Sequence, residues 1–403
     1  PLSHADPGGE RITIYAREVA EPAGEDRPWL LFLQGGPGGR SPRPNGPDAW
    51  LRRALRDYRV LLLDQRGTGR STPVTPRRLA ARGDAAAQAD YLACFRADSI
   101  VRDAELLRRN LSGGVPWTTL GQSYGGFCTL TYLSFAPEGL RACAVTGGLA
   151  GLDASAEDVY RRTYPRIVAK NERYYARYPG DEDVARRVVD LVAGSDVRLP
   201  TGERLSPERV QSLGRGFGGS TGFETVHYLL EDALDGSALS PSFLAGVVAE
   251  TSFAAQPLYA VLHEACYAQG AATGWAAQRV RAEFGDFDAA RGGRVLFTGE
   301  MVYPWMLTQE PSMRPYAEVA DLLAARSSWP TLYDAERLAR NEVPVVAAVY
   351  HDDAYVDADY SLDTARRVEG MRTWVTNEYE HDGLRADGER VLGHLLDMLA
   401  GKA

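Results

Sequence analysis

Short apolar segments, separated by helix-like segments, constrain the fold of this chain more than any other feature of its sequence. Several of these apolar segments are continuous rather than alternating, which suits strands that are buried on both faces of a sheet. The predicted strands are 29–33, 58–64, 117–121, 140–146, 343–350 and 371–376. The predicted helices are 99–111, 124–136, 359–369 and 387–401. This alternation predicts an α/β fold with a mostly parallel sheet and helices on both faces.

The strand pattern is interrupted in the middle of the chain. From about 152 to 290, amphipathic helical segments follow one another, with glycine and proline at the breaks between them. A further strand is predicted at 294–298, where the apolar run RVLFT occurs. We therefore predict one α/β domain built from 1–151 and 291–403, with a helical cap inserted at 152–290.

The overall charge argues against polyanionic partners. The chain carries 45 Lys and Arg against 54 Asp and Glu, a formal net charge of −9, and it has no dense basic run. We therefore predict no nucleic-acid partner and no membrane partner. No apolar run approaches the roughly 18 residues that suggest a membrane span, and the start of the chain lacks a signal-peptide pattern. The four cysteines show no C-x-x-C spacing, which favours reduced thiols and a cytoplasmic location.

Two segments match the pattern G-x-S-x-G of a nucleophile elbow, GQSYG at 121–125 and GGSTG at 218–222. In such an elbow the serine lies between the end of a strand and the start of a helix. Ser123 follows a predicted strand and precedes a predicted helix, whereas Ser220 lies in the helical insertion without a strand before it. The context predicts Ser123 as the nucleophile and Ser220 as a loop residue.

A nucleophilic serine needs a base and an orienting acid, which follow it in the chain order Ser, Asp or Glu, His in this type of site. Asp352 and Asp353 come directly after one predicted strand, and His381 comes directly after the next. Because the carboxyl ends of parallel strands meet at one edge of a sheet, these side chains are expected beside Ser123. We predict His381 as the base and Asp353 as the acid, with Asp352 as the alternative.

Acyl transfer also needs hydrogen-bond donors for the oxyanion that forms on the substrate carbonyl. One is normally the backbone N–H after the nucleophile, which here belongs to Tyr124. The other comes from a loop after an earlier strand, and QGGPGG at 34–39 occupies that place. The backbone N–H of Gly36, or alternatively that of Gly35, is predicted as this second donor.

Three motifs in this order resemble those of the proline iminopeptidases, serine peptidases of the α/β-hydrolase superfamily. They are QGGPG at 34–38, DQRGTGRS at 64–71 and GQSYGG at 121–126. The resemblance covers the N-terminal half of the α/β domain closely, and Gln34 stands where the family usually has histidine. The segment 64–71 is interpreted as scaffold behind the oxyanion loop rather than as a dinucleotide-binding motif.

The resemblance implies an α/β-hydrolase fold with a cap, and a serine exopeptidase that forms an acyl-enzyme. Its expected partner is a small peptide with a free N-terminal proline, and release of other small N-terminal residues stays open. No metal and no organic cofactor is implied. The alternative is an esterase or lactonase that acts on small uncharged acyl substrates.

An aminopeptidase must hold a protonated substrate N-terminus, which calls for carboxylates in a partly closed pocket. In the resembling family the cap carries two glutamates, one after an aromatic residue and one in a short helix. Glu224 and Glu264 look like their counterparts in this chain. Glu231 and Asp232 are the nearest substitutes for them.

Overall fold

A computed structural model describes residues 1–45 and 49–403 of the chain. The described residues form nine strands, β1 to β9 in chain order: Tyr15–Val19, Trp29–Leu33, Arg59–Asp64, Trp117–Gln122, Leu140–Thr146, Leu234–Asp235, Ala238–Leu239, Val345–Tyr350 and Met371–Thr376. Seven of them make one sheet in the order β1-β3-β2-β4-β5-β8-β9, and β6 pairs with β7 in a small separate hairpin.

The large sheet is parallel except at one edge, where β1 runs antiparallel to β3. The six strands predicted for the α/β domain outside 294–298 are all present, as β2, β3, β4, β5, β8 and β9. Their observed ends differ from the predicted ends by at most two residues. The sequence did not reveal β1. This strand, YAREV, lies at the edge of the sheet and carries charged residues, so it has no continuous apolar run.

The helices lie before, between and after these strands. The α-helices of the described residues, α1 to α18, are Ala49–Leu55, Pro76–Ala80, Ala85–Ala93, Ala97–Leu111, Tyr124–Phe135, Ala156–Arg177, Asp181–Gly194, Pro207–Gln211, Gly222–Glu231, Pro241–Thr251, Pro257–Leu262, Ala276–Arg281, Pro304–Gln309, Ala317–Ala325, Ala335–Leu338, Ala358–Arg367, Gly383–Ala386 and Gly388–Leu399. Short 3-10 helices are Pro137–Gly139, Ser212–Gly218, Glu264–Tyr267, Gly285–Phe287, Ala289–Arg291 and Arg314–Tyr316.

The central strands are apolar on both faces because both faces of the sheet are covered. In β2, Leu31 and Leu33 pack into one core cluster, which includes residues of α4 and α5, while Leu30 and Phe32 pack into another, which includes residues of α1 and α18. Each fully buried side chain of this kind stabilises the fold by about 1.5–3 kcal/mol. A continuous apolar run therefore predicts a central strand of such a sheet correctly.

The strand predicted at 294–298 is wrong. Its backbone pairs with side chains of the helical region instead of a neighbouring strand. Asn171 on α6 donates to the carbonyl oxygen of Phe297 at 2.8 Å and accepts from its N–H at 2.8 Å. Gln211 donates to the carbonyl oxygen of Leu296 at 2.9 Å. The run is apolar because it is buried among helices, which periodicity alone does not distinguish from a buried strand.

The region between β5 and β8 contributes no strand to the large sheet, and all of its residues are described. Its longest helix, α6, begins at a capping box in which Ser155 and Asp158 satisfy each other's backbone N–H groups. Most of the helices of this region pack in a core cluster of their own. The domain boundaries 1–151, 152–290 and 291–403 stay predictions. No helix among the described residues is long and apolar enough to cross a membrane.

The sheet and the inserted region are joined by buried polar contacts as well as by apolar packing. Arg96, at the start of α4, is 2% exposed. Its guanidinium donates to the backbone carbonyl oxygens of Ala265, Ala268 and Pro330, at 2.9, 2.6 and 2.7 Å. These hydrogen bonds fix the 264–268 segment against the helix layer of the sheet, so the helical region is anchored above the carboxyl edge of the strands.

Candidate active site

Ser123 lies at the sharp turn between β4 and α5, as the elbow pattern predicts. Its backbone has φ 54° and ψ −123°, in a region that few residues other than glycine adopt. Strain of this kind persists only where the surrounding structure enforces it, and it is concentrated at functional sites. The turn places the serine side chain at the carboxyl edge of the sheet and at the N-terminus of α5.

The glycines on either side of Ser123 are required by close packing. A Cβ on Gly125 would lie 1.9 Å from the carbonyl oxygen of Leu33 on β2. A Cβ on Gly121 would lie 2.5 Å from the carbonyl oxygen of Gly125. No side chain fits at either place, so α5 can start this close to the sheet only with glycine at both positions.

Ser123, His381 and Asp353 form one hydrogen-bonded chain. The Oγ of Ser123 lies 2.8 Å from Nε2 of His381, and Nδ1 of His381 lies 2.6 Å from Oδ2 of Asp353. The other carboxylate oxygen of Asp353 accepts from the backbone N–H groups of Tyr355 and Val356, at 2.8 and 3.0 Å. Asp353 is 1% exposed and His381 is 7% exposed. The arrangement is that of a serine nucleophile, a base and an orienting acid.

Asp352, the alternative acid, points elsewhere. Its carboxylate lies 2.9 Å from Nδ1 of His351 and 3.4 Å from the guanidinium of Arg173. It is part of a half-exposed surface cluster. The structure therefore brings Asp353, and not Asp352, to the imidazole of His381.

The surroundings of His381 raise the pKa of its imidazole above the ordinary 6.5. Burial is the largest single influence and lowers the pKa, because it disfavours the charged form. The charge and the hydrogen bond of Asp353, together with the charges of Glu300 and Asp382, favour the imidazolium and outweigh burial. The imidazole of His381 thus has a greater tendency to accept a proton while it stays out of bulk water.

The loop after β2 lies against Ser123. A Cβ on Gly35 would come within 3.0 Å of the Cβ of Ser123. The N–H of Gly36 donates to no described residue, and the N–H of Tyr124 is in the first turn of α5, where helices leave their N–H groups without intrahelical partners. Donors from both predicted sources are therefore available at the serine.

The DQRGTGRS segment supports this loop from behind, which agrees with its interpretation as scaffold. Gln65 donates through Nε2 to the carbonyl oxygen of Gln34 at 2.8 Å. Asp64 accepts from the N–H of Ser41 at 3.2 Å and forms an ion pair with Arg43. The ends of the oxyanion loop are thus tied to the end of β3.

Ser220, the serine of the second G-x-S-x-G match, takes no part in the hydrogen-bonded chain. Its Oγ donates to Oδ2 of Asp382 at 2.9 Å, and its N–H donates to Oδ1 of the same carboxylate at 3.0 Å. The N–H of His381 donates to the carbonyl oxygen of Gly218 at 2.9 Å. Ser220 lies in the loop 219–221, as predicted, between the 3-10 helix Ser212–Gly218 and α9. Gly218 and Ser220 also hold the loop that carries His381, which the sequence did not indicate.

The two cap glutamates already have partners. Glu224 forms an ion pair with Arg177 at 2.5 Å. Glu264 accepts from the backbone N–H groups of Ala276 and Ala277 at 3.0 and 2.9 Å, and so caps the start of α12. Burial raises the pKa of Glu264, although these backbone hydrogen bonds lower it in part. Among the described residues, no hydrogen bond or ion pair joins either glutamate to the Ser123–His381–Asp353 chain.

Glu300 is the acidic residue that sequence reasoning missed. It lies two residues after the 294–298 run, separated from it by Gly299, is half-buried, and contributes to the raised pKa of His381. The hydroxyl of Tyr259 donates to its carboxylate. Within the described part of the chain, no cation lies within 4.0 Å of that carboxylate. The signal that could have found it is an acidic residue close after a buried apolar run, here with one glycine between them.

Comparison with known proteins agrees with this geometry. A family model described as the alpha/beta hydrolase fold matches residues 28–191, and the chain has that fold. The proline iminopeptidase of Aeromonas sobria is 49% identical over 399 residues, which cover 98% of this chain and 94% of the relative. Proline iminopeptidase aneH of Aspergillus aculeatus is 35% identical over 405 residues, which cover 97% of this chain and 90% of the relative. With its elbow, its two further motifs and these full-length relatives, the chain belongs to the proline iminopeptidase family.

Proposed function

We propose that this chain is a serine exopeptidase that releases N-terminal proline from small peptides. The observation that carries the proposal is the hydrogen-bonded chain from Ser123 through His381 to Asp353. The charge of Glu300 is near enough to help raise the pKa of His381. The full-length relatives named proline iminopeptidase support the choice of substrate.

In the proposed reaction, Ser123 attacks the carbonyl carbon of the N-terminal residue, and Nε2 of His381 takes the proton of its hydroxyl. The tetrahedral intermediate collapses when His381 gives that proton to the departing peptide nitrogen, which leaves an acyl-enzyme. Water then repeats the sequence and frees proline and Ser123. Asp353 holds the imidazole in the required orientation and stabilises its charged form.

The oxyanion of each tetrahedral intermediate would accept from two backbone donors. We assign the N–H of Tyr124 and the N–H of Gly36, with that of Gly35 as the alternative. The dipole of α5 has its positive end at the same place and favours the developing negative charge. This chemistry is complete without a metal ion or an organic cofactor.

We assign Glu300 to the role that the sequence predicted for Glu224 and Glu264, the binding of the substrate amine. A protonated amine is best held by a carboxylate that has no cation of its own, and among the described residues Glu300 has none within 4.0 Å. Glu264 also has none there, but both of its oxygens accept backbone N–H groups at the start of α12. Burial raises the pKa of the Tyr259 phenol well above its ordinary value, so this hydroxyl stays protonated and keeps donating to Glu300. The carboxylate is therefore held in place before substrate arrives.

The proposed location is the cytoplasm, and the proposed partner is a peptide rather than a macromolecular surface. The four cysteines of the chain are free, which is usual in a reducing compartment. The formal net charge of −9 disfavours polyanionic partners.

Blocking the substrate amine tests the proposed function. Proline p-nitroanilide should be cleaved about 100-fold or more faster, in kcat/KM, than its N-acetylated form, because only the free amine can pair with a carboxylate. Release of p-nitroaniline by the purified protein measures both rates. Equal rates, or faster cleavage of the acetylated compound or of simple esters, would instead support the esterase or lactonase.

Substitution of the three glutamates tests the assignment of the amine site. Glu300→Gln should lower kcat/KM for proline p-nitroanilide by about 30- to 100-fold, since a charged hydrogen bond worth roughly 2–3 kcal/mol is lost. Hydrolysis of p-nitrophenyl acetate, which has no amine, should change by less than about threefold. Glu224→Gln and Glu264→Gln serve as matched controls. The assignment fails if either control variant, rather than Glu300→Gln, loses activity selectively toward the amine substrate.

The pH dependence should report the raised pKa of His381. The base must be neutral to act, so activity is lost as the pH falls through that pKa, which lies above 6.5. Hydrolysis of p-nitrophenyl acetate between pH 5 and 9 isolates the enzyme group, because this ester does not titrate there. Glu300→Gln removes one of the charges that raise the pKa and should move the acid limb to lower pH. The prediction is contradicted if activity is lost only below pH 6.5 and Glu300→Gln does not shift that pH.

A further inference from the structure

A cavity of about 370 Å³ adjoins the proposed catalytic site, within the roughly 300–1,000 Å³ that small-molecule sites occupy. Tyr355 on its wall has its ring centroid 4.8 Å from that of the His381 imidazole. Tyr259, also on its wall, adjoins the oxyanion loop, since a Cβ on Gly38 would lie 2.8 Å from the Tyr259 nitrogen. Wall residues of the cavity thus contact both the imidazole of His381 and the loop 34–39, so the cavity is placed to receive a part of the substrate that extends from Ser123.

Besides the exposed carboxylate of Glu250, two opposite charges line this cavity without pairing to each other. One is the carboxylate of Glu300 and the other is the guanidinium of Arg215. Their nitrogen and oxygen atoms are more than 4.0 Å apart, and Arg215 has no carboxylate within that distance among residues 1–45 and 49–403. Unpaired opposite charges kept apart in one half-buried cavity are the complement of a ligand that carries both charges.

The guanidinium of Arg215 is held in place by contacts that leave it able to bind an anion. It lies 4.6 Å from the ring centroid of Phe253 and 5.9 Å from that of Tyr259. Its Nη2 donates to the backbone carbonyl oxygen of Glu250 at 2.5 Å. Stacking of this kind orders the planar group, and its remaining N–H donors match the two oxygens of a carboxylate.

The backbone of Arg215 is coupled to the catalytic histidine. Its carbonyl oxygen accepts from the hydroxyl of Tyr355, the residue whose ring contacts His381. The same 3-10 helix, Ser212–Gly218, ends at the carbonyl that accepts from the N–H of His381. The position of the guanidinium is therefore set relative to the reacting atoms rather than by a mobile loop.

We infer that Arg215 binds the free C-terminal carboxylate of a dipeptide whose N-terminal proline amine is bound by Glu300. This inference rests on the proposed function and adds the leaving-group side of its substrate. A dipeptide spans at most roughly 7 Å, so both of its charges fit within one cavity of this size. The exposed carboxylate of Glu250 at the rim is more than 4.0 Å from the guanidinium and is in contact with solvent, which screens its repulsion of the ligand. The enzyme thereby favours prolyl dipeptides with a free carboxylate over the corresponding amides.

Comparison of Pro-Ala with Pro-Ala amide tests this inference, with release of free proline as the measurement. The wild-type protein should cleave the acid about tenfold or more faster than the amide in kcat/KM. Arg215→Gln should lower kcat/KM for the acid about tenfold or more and change the amide by less than about threefold, so that the preference disappears. Arg215→Lys, which keeps the charge, should retain part of the preference.

Arg294→Gln is the matched control, because Arg294 lies 5.3 Å from the ring centroid of Tyr175 outside the cavity. It should leave the acid-to-amide ratio as in the wild type. The inference is overturned if the wild-type protein cleaves Pro-Ala and its amide equally, or if Arg215→Gln keeps the preference. In both of these cases the amide is still cleaved and the proposed function stands. Failure of the wild-type protein to release proline from either compound would instead refute the proposed function, and this inference with it.

Discussion

The close approach of α5 to the sheet at Ser123 is the constraint on which the rest of the site depends. Glycine at 121 and 125 permits this approach because a Cβ at either position would overlap backbone atoms. The strained backbone of Ser123 is the consequence, and it holds the hydroxyl at the carboxyl edge of the sheet. Parallel strands β8 and β9 end at the same edge, so Asp353 and His381 reach the serine with hydrogen bonds of ordinary length.

Much of the fold and of the hydrogen-bonded chain follows from the sequence because two strong local signals coincide. Continuous apolar runs mark strands that are covered on both faces, and polar residues directly after such runs mark the functional edge. Two errors arise because an apolar pattern records burial and not strand pairing: an edge strand pairs without being buried, and an apolar run can be buried without pairing. The charged edge strand β1 was missed, and the apolar run 294–298 is buried among helices instead of pairing in the sheet.

The proposed binding site for the substrate amine could not be predicted from sequence motifs. Glu224 and Glu264 were predicted from short resembling segments, but their carboxylates are engaged by Arg177 and by the start of α12. Glu300 accepts from the hydroxyl of Tyr259 but has no cation within 4.0 Å in the part of the chain that the structure describes. Only the folded chain brings its charge close enough to raise the pKa of His381. A site formed by contacts between distant segments has no local sequence signature. The unpaired charges of Glu300 and Arg215 in one cavity became apparent only from the structure for the same reason.

The proposed reaction requires that Ser123 is the nucleophile and that His381 activates it. A fluorophosphonate probe followed by peptide mass mapping tests this most directly, because the probe reacts covalently with an activated serine. We expect a single label on Ser123, no label on Ser220, and loss of labelling in His381→Ala. Labelling of another serine, or labelling of Ser123 that His381→Ala leaves unchanged, would contradict this expectation.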